Sequence, residues 1–209
     1  MSKRGGSSSR WRQRQERDIY VERAAREGYR SRAAFKLEQI LAKDPRVLRP
    51  GMLVVDLGAA PGSWSQLAAR RVGPSGHVWA LDLLPMDPVP GVDFIRGDFA
   101  APDTLEALRA ALGGRSVDLV MSDMAPNISG NRAIDQPRSM ALADEALAFA
   151  REVLKRGGSF VVKLFQGEGV DAFVKELRSA FGSVRLVKPP ASRSESREIY
   201  VLARNYGIV

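Results

Sequence analysis

From residue 51 onward, short apolar runs alternate with amphipathic stretches, and that alternation leaves few architectures open. Strands read over 52–57, 77–83, 92–96, 117–122, 159–165, 184–187 and 197–203. Helices read over 63–71, 104–112, 137–155 and 170–181. Near-continuous apolar strands are covered on both faces, and strand–helix alternation builds a doubly wound, mostly parallel α/β sheet. Only a loop at 188–196 separates the last two strands, so they are expected to pair as an antiparallel C-terminal hairpin. The predicted fold is Rossmann-like, with seven strands, no internal repeat and no second domain.

The net charge of +8 is unevenly placed. Residues 1–36 hold eleven of the 32 Lys/Arg but four of the 24 Asp/Glu, so the rest of the chain is nearly neutral. A basic arm suits a polyanion, and Trp11, Tyr20 and Tyr29 interleave rings on which bases stack. The competing reading is a solubilising or membrane-surface tail. Residues 1–10, rich in Gly and Ser, are expected to be disordered when free, and 11–29 partly helical. Residues 1–30 are thus expected to be a nucleic-acid-binding arm, and 31–209 one domain.

Composition removes several chemistries. There is no cysteine and one histidine, His77. Thiolate nucleophiles, disulfides and cysteine or multi-histidine metal sites are excluded, and no metal is expected. His77 opens a strand, far from the strands' carboxyl ends, and reads as structural. No apolar run reaches the roughly 18 residues of a membrane span, and the basic N-terminus has no apolar segment behind it. A cytoplasmic protein is expected, and no coiled-coil pattern argues against a monomer.

The loop Gly58-Ala59-Ala60-Pro61-Gly62-Ser63-Trp64 follows the first strand's Asp56. Its glycines permit tight turning and close ligand approach, and Ser63 is placed to cap the next helix. Such loops bind nucleotides at the carboxyl ends of strands, although the dinucleotide fingerprint is absent. Asp82 ends the second strand, where an acid can accept ribose hydroxyls. Asp98 follows the third, where it can accept from an adenine amino group. Each alone is an ordinary turn carboxylate; three acids at three successive strand ends point to an adenosine-containing ligand.

Four further charges stand in contexts that bury or aim them. Lys163 interrupts the apolar run Ser159–Phe165, where a lysine loses hydration. Either it snorkels from the strand end, or it is tuned for chemistry. Asp123 closes the neighbouring fourth strand, and Glu198 opens the last. Lys36 lies at the edge of an apolar stripe (Ala33, Leu37, Ile40, Leu41) on a helix expected over about 32–43, with Ser31 as its cap and Pro45 beyond its end. Arg32, Arg193 and Arg197 are placed to hold phosphates or to form a solvated rim.

These motifs resemble those of S-adenosylmethionine-dependent methyltransferases, and Lys-Asp-Lys-Glu in this order resembles the ribose 2′-O-methyltransferases. More closely, the stretches 7–11, 53–64, 82–88, 91–94, 97–99, 121–127, 157–163, 165–169 and 196–198 are similar to the bacterial FtsJ/RrmJ family of 23S rRNA uridine 2′-O-methyltransferases. Leu83-Leu84-Pro85-Met86-Asp87-Pro88 and Phe165-Gln166-Gly167-Glu168-Gly169 are specific to it, and Ser63 departs from a frequent family glycine. The resemblance implies a methyltransferase fold, S-adenosyl-L-methionine as cofactor, and a uridine of the 23S rRNA A-loop within the large ribosomal subunit as target. It implies Lys36, Asp123, Lys163 and Glu198 as catalytic residues. Asp56, Gly58, Gly62, Trp64, Asp82, Asp98 and Asp123 are implied to bind cofactor.

A ribose hydroxyl must lose its proton to attack a sulfonium methyl. With no histidine, cysteine or metal, lysine is the remaining candidate base; the alternative is that Lys163 orients the hydroxyl and stabilises developing oxyanion charge. Two other functions compete. Base N-methyltransferases favour an Asn/Asp-Pro-Pro-aromatic turn, whereas the turn here is Asp123-Met124-Ala125-Pro126. An RNA-binding assembly factor with a dead fold fits the arm, but not four intact charges.

Overall fold

The computed structural model describes residues 19–193 and 195–209. Expectations for residues 1–18, including disorder over 1–10 and any role of Trp11, lie outside the described residues. A helix over 19–27 (α1) precedes α2 (Ala33–Leu41) and a 3₁₀ turn (Pro45–Val47). There follow β1 (Leu53–Leu57), α3 (Ser63–Val72), β2 (His77–Asp82), β3 (Val92–Arg96), α4 (Pro102–Leu112) and β4 (Val117–Ser122). The chain continues through α5 (Arg132–Val153), β5 (Leu154–Phe165), α6 (Val170–Ala180), β6 (Phe181–Val187) and β7 (Glu198–Tyr206).

The seven strands form one sheet in the order β3-β2-β1-β4-β5-β7-β6. Strands β1 to β5 run parallel, while β7 lies antiparallel between β5 and β6. The α/β fold and the terminal antiparallel pair are as expected. On one face, α4, α5 and α6 bury Leu108, Leu147, Phe149, Phe173 and Leu177 against the sheet. On the other, α2 and α3 bury Leu37, Ile40, Leu41, Trp64 and Leu67. Each fully buried large aliphatic side chain contributes roughly 1.5–3 kcal/mol. The stripe expected on α2 is therefore the contact that fixes the helix carrying Lys36. No described helix is long and apolar enough to cross a membrane.

Boundaries shift where turn chemistry overrides pattern. Helix α5 starts five residues before the expected Pro137, because Asn131 caps it by accepting from the Ala133 N–H at 3.0 Å. Strand β5 starts at Leu154, directly after α5, and passes through Gly157 and Gly158 before its apolar run. Arg32, not the expected Ser31, holds the N-cap position of α2, and Ser31 accepts from the Ala33 N–H at 3.2 Å just ahead of it. Ser63 does not cap α3; Gly62 holds that position, and the Ser63 hydroxyl bonds that of Ser31 at 2.8 Å. The Ser63 hydroxyl thus ties the start of α3 to the turn ahead of α2.

Helix α1 packs on α2. Tyr20 and Tyr29 flank Phe35, each with ring centroids 5.7 Å away, and the Arg23 guanidinium lies 4.2 Å over the same ring. Arg23 also pairs with Glu38 at 3.1 Å. Residues 19–29 thus share a small core with the domain.

Candidate active site

Parallel register brings the expected ligand residues to one edge. Leu57 pairs with Leu81 and with Ser122, and Asp82 pairs with Arg96. Gly58, Asp82, Asp98 and Asp123 therefore leave adjacent strands side by side. The Gly58 N–H donates to Leu81 O at 2.9 Å, and the Asp123 N–H to Leu57 O at 3.1 Å. Gly58 has φ +76°, and a Cβ there would lie 2.8 Å from Met124 Cγ and 2.9 Å from its backbone nitrogen. Gly62 has φ +109°, and a Cβ would meet the Arg30 guanidinium at 2.7 Å. Backbone crowding at Gly58 and the positive φ at both positions call for glycine.

The acids differ in what they already hold. Asp82 accepts from the Ala60 N–H at 2.9 Å and the Leu84 N–H at 2.8 Å, so it shapes the loop as well as facing it. Each carboxylate oxygen keeps a second lone pair for a ligand hydroxyl. Asp98 is exposed and accepts from the Ala100 N–H at 3.0 Å. Asp56 is wholly buried: Oδ2 accepts from Ser65 Oγ at 2.6 Å, while Oδ1 has no partner among the described residues. Burial pushes its carboxyl up to about 7, with Asp123 and Asp82 adding to the shift against the Ser65 hydrogen bond. Trp64 is also buried; its indole donates to Ala33 O at 2.9 Å and packs on Tyr200. Its side chain is a strut, and its backbone N–H, in the first turn of α3, is the group available to a ligand. An orphaned acceptor, loop glycines at positive φ, acids at three strand ends and a helix N-terminus fit an adenosine carrying a cationic tail.

Two lysine–carboxylate pairs stand beside this edge. Lys163 Nζ donates to the Asp123 carbonyl at 2.6 Å and lies 3.2 Å from its Oδ1. Lys36 Nζ pairs with Glu198 Oε2 at 2.8 Å. Lys163 faces Tyr200 across the ladder and Phe165 faces Glu198, so the two pairs share one sheet face. Burial alone would raise the Glu198 carboxyl, but Lys36, then Lys163 and Lys188, bring it below its ordinary value. All four expected residues meet.

Sequence reasoning missed Tyr200. Its hydroxyl donates to Asp123 Oδ1 at 2.9 Å, and burial, reinforced by Asp123 and Glu198, holds its phenol well above the usual range. The period-two offset from Glu198 is the signal that places it on the same face. Lys188 was also missed: it donates to the carbonyls of Ser196 and, at 2.8 Å, Glu198. No motif marks it.

A cleft of about 580 Å³ opens above Lys36 and Glu198. Arg32, Arg193 and Arg197 all line it, joined by Arg132 from the start of α5. Gln136, another residue without a sequence signal, donates to Phe165 O at 2.9 Å and Glu168 O at 2.8 Å and steadies that rim. His77 lies at the opposite end of the sheet, bonded to Asp93 at 2.8 Å, in the structural place expected for it.

The sequence pattern of the FtsJ-like methyltransferases matches residues 29–206. A ribosomal RNA large subunit methyltransferase E from Alkalilimnicola ehrlichii is 55% identical over 99% of this chain and 98% of its own length. Among solved structures, a Plasmodium falciparum protein assigned as a ribosomal RNA methyltransferase superposes with a TM-score of 0.77 at 30% identity, over 85% of this chain and 98% of that one. A Streptococcus mutans protein assigned as a methyltransferase, solved in complex with SAH, shares the fold with a TM-score of 0.51 at 16% identity, over 76% and 89% of the two chains.

Proposed function

The chain belongs to the FtsJ-like methyltransferase family, with S-adenosylmethionine as methyl donor, and from that premise we propose that it methylates a ribose 2′-hydroxyl in 23S rRNA. The target we infer is a uridine of the A-loop, presented by the large ribosomal subunit during its maturation. The enzyme acts in this reading as a cytoplasmic monomer, with residues 1–30 engaging RNA, their 19–29 part packed on the catalytic domain of 31–209. The 55% identity to a large-subunit RNA methyltransferase over nearly the full length of both chains supports the substrate class. The observation that carries the chemistry is the convergence of Lys163–Asp123 and Lys36–Glu198 on one face of the sheet.

S-adenosylmethionine supplies an electrophilic methyl on a sulfonium. Asp82 would hold its ribose and Asp98 its adenine, with Gly58, Gly62 and the Trp64 N–H forming the loop side of its site. Asp56 supports the loop from behind through Ser65. The protein must then position a weak nucleophile whose oxygen bonds the methyl as the methyl–sulfur bond breaks, and whose proton passes to solvent water. Lys163 is held as a donor to two Asp123 oxygens; an ammonium has three N–H groups, so one remains for the 2′-oxygen. That geometry favours orientation and oxyanion stabilisation. Lys36 and Glu198 fix the neighbouring wall, and Arg32, Arg193 and Arg197 take phosphates at the cleft mouth.

The test is methyl transfer from radiolabelled S-adenosylmethionine to large subunits from a strain lacking this enzyme. The label should map to one nucleotide whose 3′ linkage resists alkali. Label on a base, with an alkali-labile linkage, would overturn the 2′-O reading.

A further inference from the structure

The cleft mouth carries an apolar side chain that the described residues leave uncovered. Ile128, between β4 and α5, is 68% exposed. Single surface isoleucines need no explanation, but this one stands on a loop held from below. Asp135, in the first turn of α5, is 5% exposed. Its carboxylate accepts from the Ser129 N–H at 2.9 Å, the Ser129 hydroxyl at 2.8 Å and the Gly130 N–H at 3.1 Å. The Asn131 N–H donates to Ser129 Oγ at 3.2 Å. The Ser129 hydrogen bonds keep the Asp135 carboxyl below its ordinary value, so the anchor is ionised near neutral pH. Ile128, next in the chain to this anchored turn, lines the cleft.

The other lining side chains define what Ile128 meets. Arg32, Arg132, Arg193 and Arg197 suit phosphates, and Lys36 with Glu198 lines the cleft on the sheet face that also carries Lys163. What remains of a nucleotide is its base, whose faces are apolar. Ile128 and Phe165 are the large apolar side chains among the lining residues. Bases drawn into enzyme pockets are held by such apolar and aromatic surfaces.

We propose that Ile128 contacts the base of the nucleotide being methylated, with Asp135 as the positioning residue that holds it there. The inference rests on the 2′-O-methylation reading and assigns that site its base contact. Arginines alone grip any phosphate backbone; an apolar side chain lining the same cleft as Lys36 and Glu198 adds a surface for the base.

Because the chain has no cysteine, Ile128→Cys introduces one addressable thiol. Coupled to a benzophenone maleimide and irradiated on undermethylated large subunits, it should crosslink to the methylated nucleotide or an immediate neighbour. Crosslinks confined to ribosomal protein, or to distant RNA, would overturn the proposal. In kinetics, Ile128→Ala should raise KM for subunits roughly ten-fold, as expected for one aliphatic side chain withdrawn from contact, with kcat and cofactor affinity within about two-fold. Ile128→Leu should retain the wild-type KM. Asp135→Ala should raise KM in the wild-type background but add little in the Ile128→Ala background, since the two act through one contact. An unchanged KM in active Ile128→Ala, or fully additive effects, sinks the assignment while leaving the methyltransferase reading intact. Failure of the wild-type enzyme to methylate ribose sinks both, and is seen before any variant is made.

Discussion

Lys163 and Tyr200 face each other in register across β5 and β7 and converge on one acceptor, the Oδ1 of Asp123, at 3.2 and 2.9 Å. The tyrosine ring is fully buried against Trp64. A phenol that cannot move thus fixes a carboxylate, which in turn fixes the amine. Asp123 also accepts from Lys163 through its backbone carbonyl, so rotation of the lysine breaks contacts to two Asp123 oxygens.

Tyr200→Phe removes one donor and keeps the packing. Leaving a single acceptor short of its partner costs about 1–3 kcal/mol where the group is buried. We expect kcat to fall by roughly five- to fifty-fold on conversion of that range with allowance for relaxation, with S-adenosylmethionine affinity unchanged. Steady-state kinetics beside calorimetry reads this; wild-type turnover would show that Asp123 is held well enough without the phenol.

Lys163→Ala should abolish methyl transfer while leaving cofactor affinity within a few-fold, because the amine touches the hydroxyl and not the adenosine. Lys163→Arg should fail as well. Lys163 is 8% exposed, and a planar guanidinium neither fits that space nor presents the same N–H direction. Single-turnover assays with saturating cofactor separate loss of chemistry from loss of binding; substantial product from either variant contradicts the role.

Asp82→Ala removes a ligand acceptor and two loop hydrogen bonds together. One lost charge-assisted bond costs ~1.5–3 kcal/mol, so cofactor affinity should fall at least ten-fold. Asp82→Asn keeps one acceptor oxygen and should lose less. Calorimetry that ranks the two variants equal to wild type would refute the ribose contact.

Asp56 predicts a pH dependence of stability. Its carboxyl is about 7 in the folded protein against 3.8 in the unfolded chain, chiefly through burial. A raised acid favours folding while protonated, so its contribution is complete below about 4 and is lost as pH rises to about 7. Asp56→Asn stays neutral, so its melting temperature should gain on wild type across that window and run parallel above it. Parallel curves from pH 4 to 8 would mean that Asp56 is already ionised when folded.

Much of this site was legible because its residues end strands. Apolar runs broken by Lys163, or terminated by Asp56, Asp82 and Asp123, mark both an element and a chemical group at one position. The four charges were found from type and order, whereas their pairing, Lys36 with Glu198 and Lys163 with Asp123, required β7 to lie beside β5. Tyr200 was hidden because an aromatic in a strand reads as core, which it also is. For Trp64 the sequence did not say which group would serve a ligand; its indole packs inward on Ala33 and Tyr200, which leaves its backbone N–H in the first turn of α3. The start of α5 was lost because Pro137 reads as a helix boundary, while Asn131 and Asp135 build another turn ahead of it. Ile128 and Gln136 belong to no periodic pattern, and only folding gives them neighbours.

The basic arm gives the last prediction. Removing residues 1–29 would strip α1 from Phe35 and confound stability with RNA binding, because Tyr20, Arg23 and Tyr29 pack there. Deleting 1–18 avoids this and still removes Lys3, Arg4, Arg10, Arg12, Arg14 and Arg17. Each phosphate these residues neutralise adds roughly 0.7–0.9 to the slope of log affinity against log salt. The truncated protein should therefore bind RNA with a shallower salt dependence, and KM for ribosomal subunits should rise. Melting temperature and cofactor affinity should hold, since neither the Phe35 cluster nor the Gly58–Gly62 loop is touched. Equal slopes for the full-length and truncated proteins would mean that the arm leaves the phosphates alone, and its charge would then serve solubility.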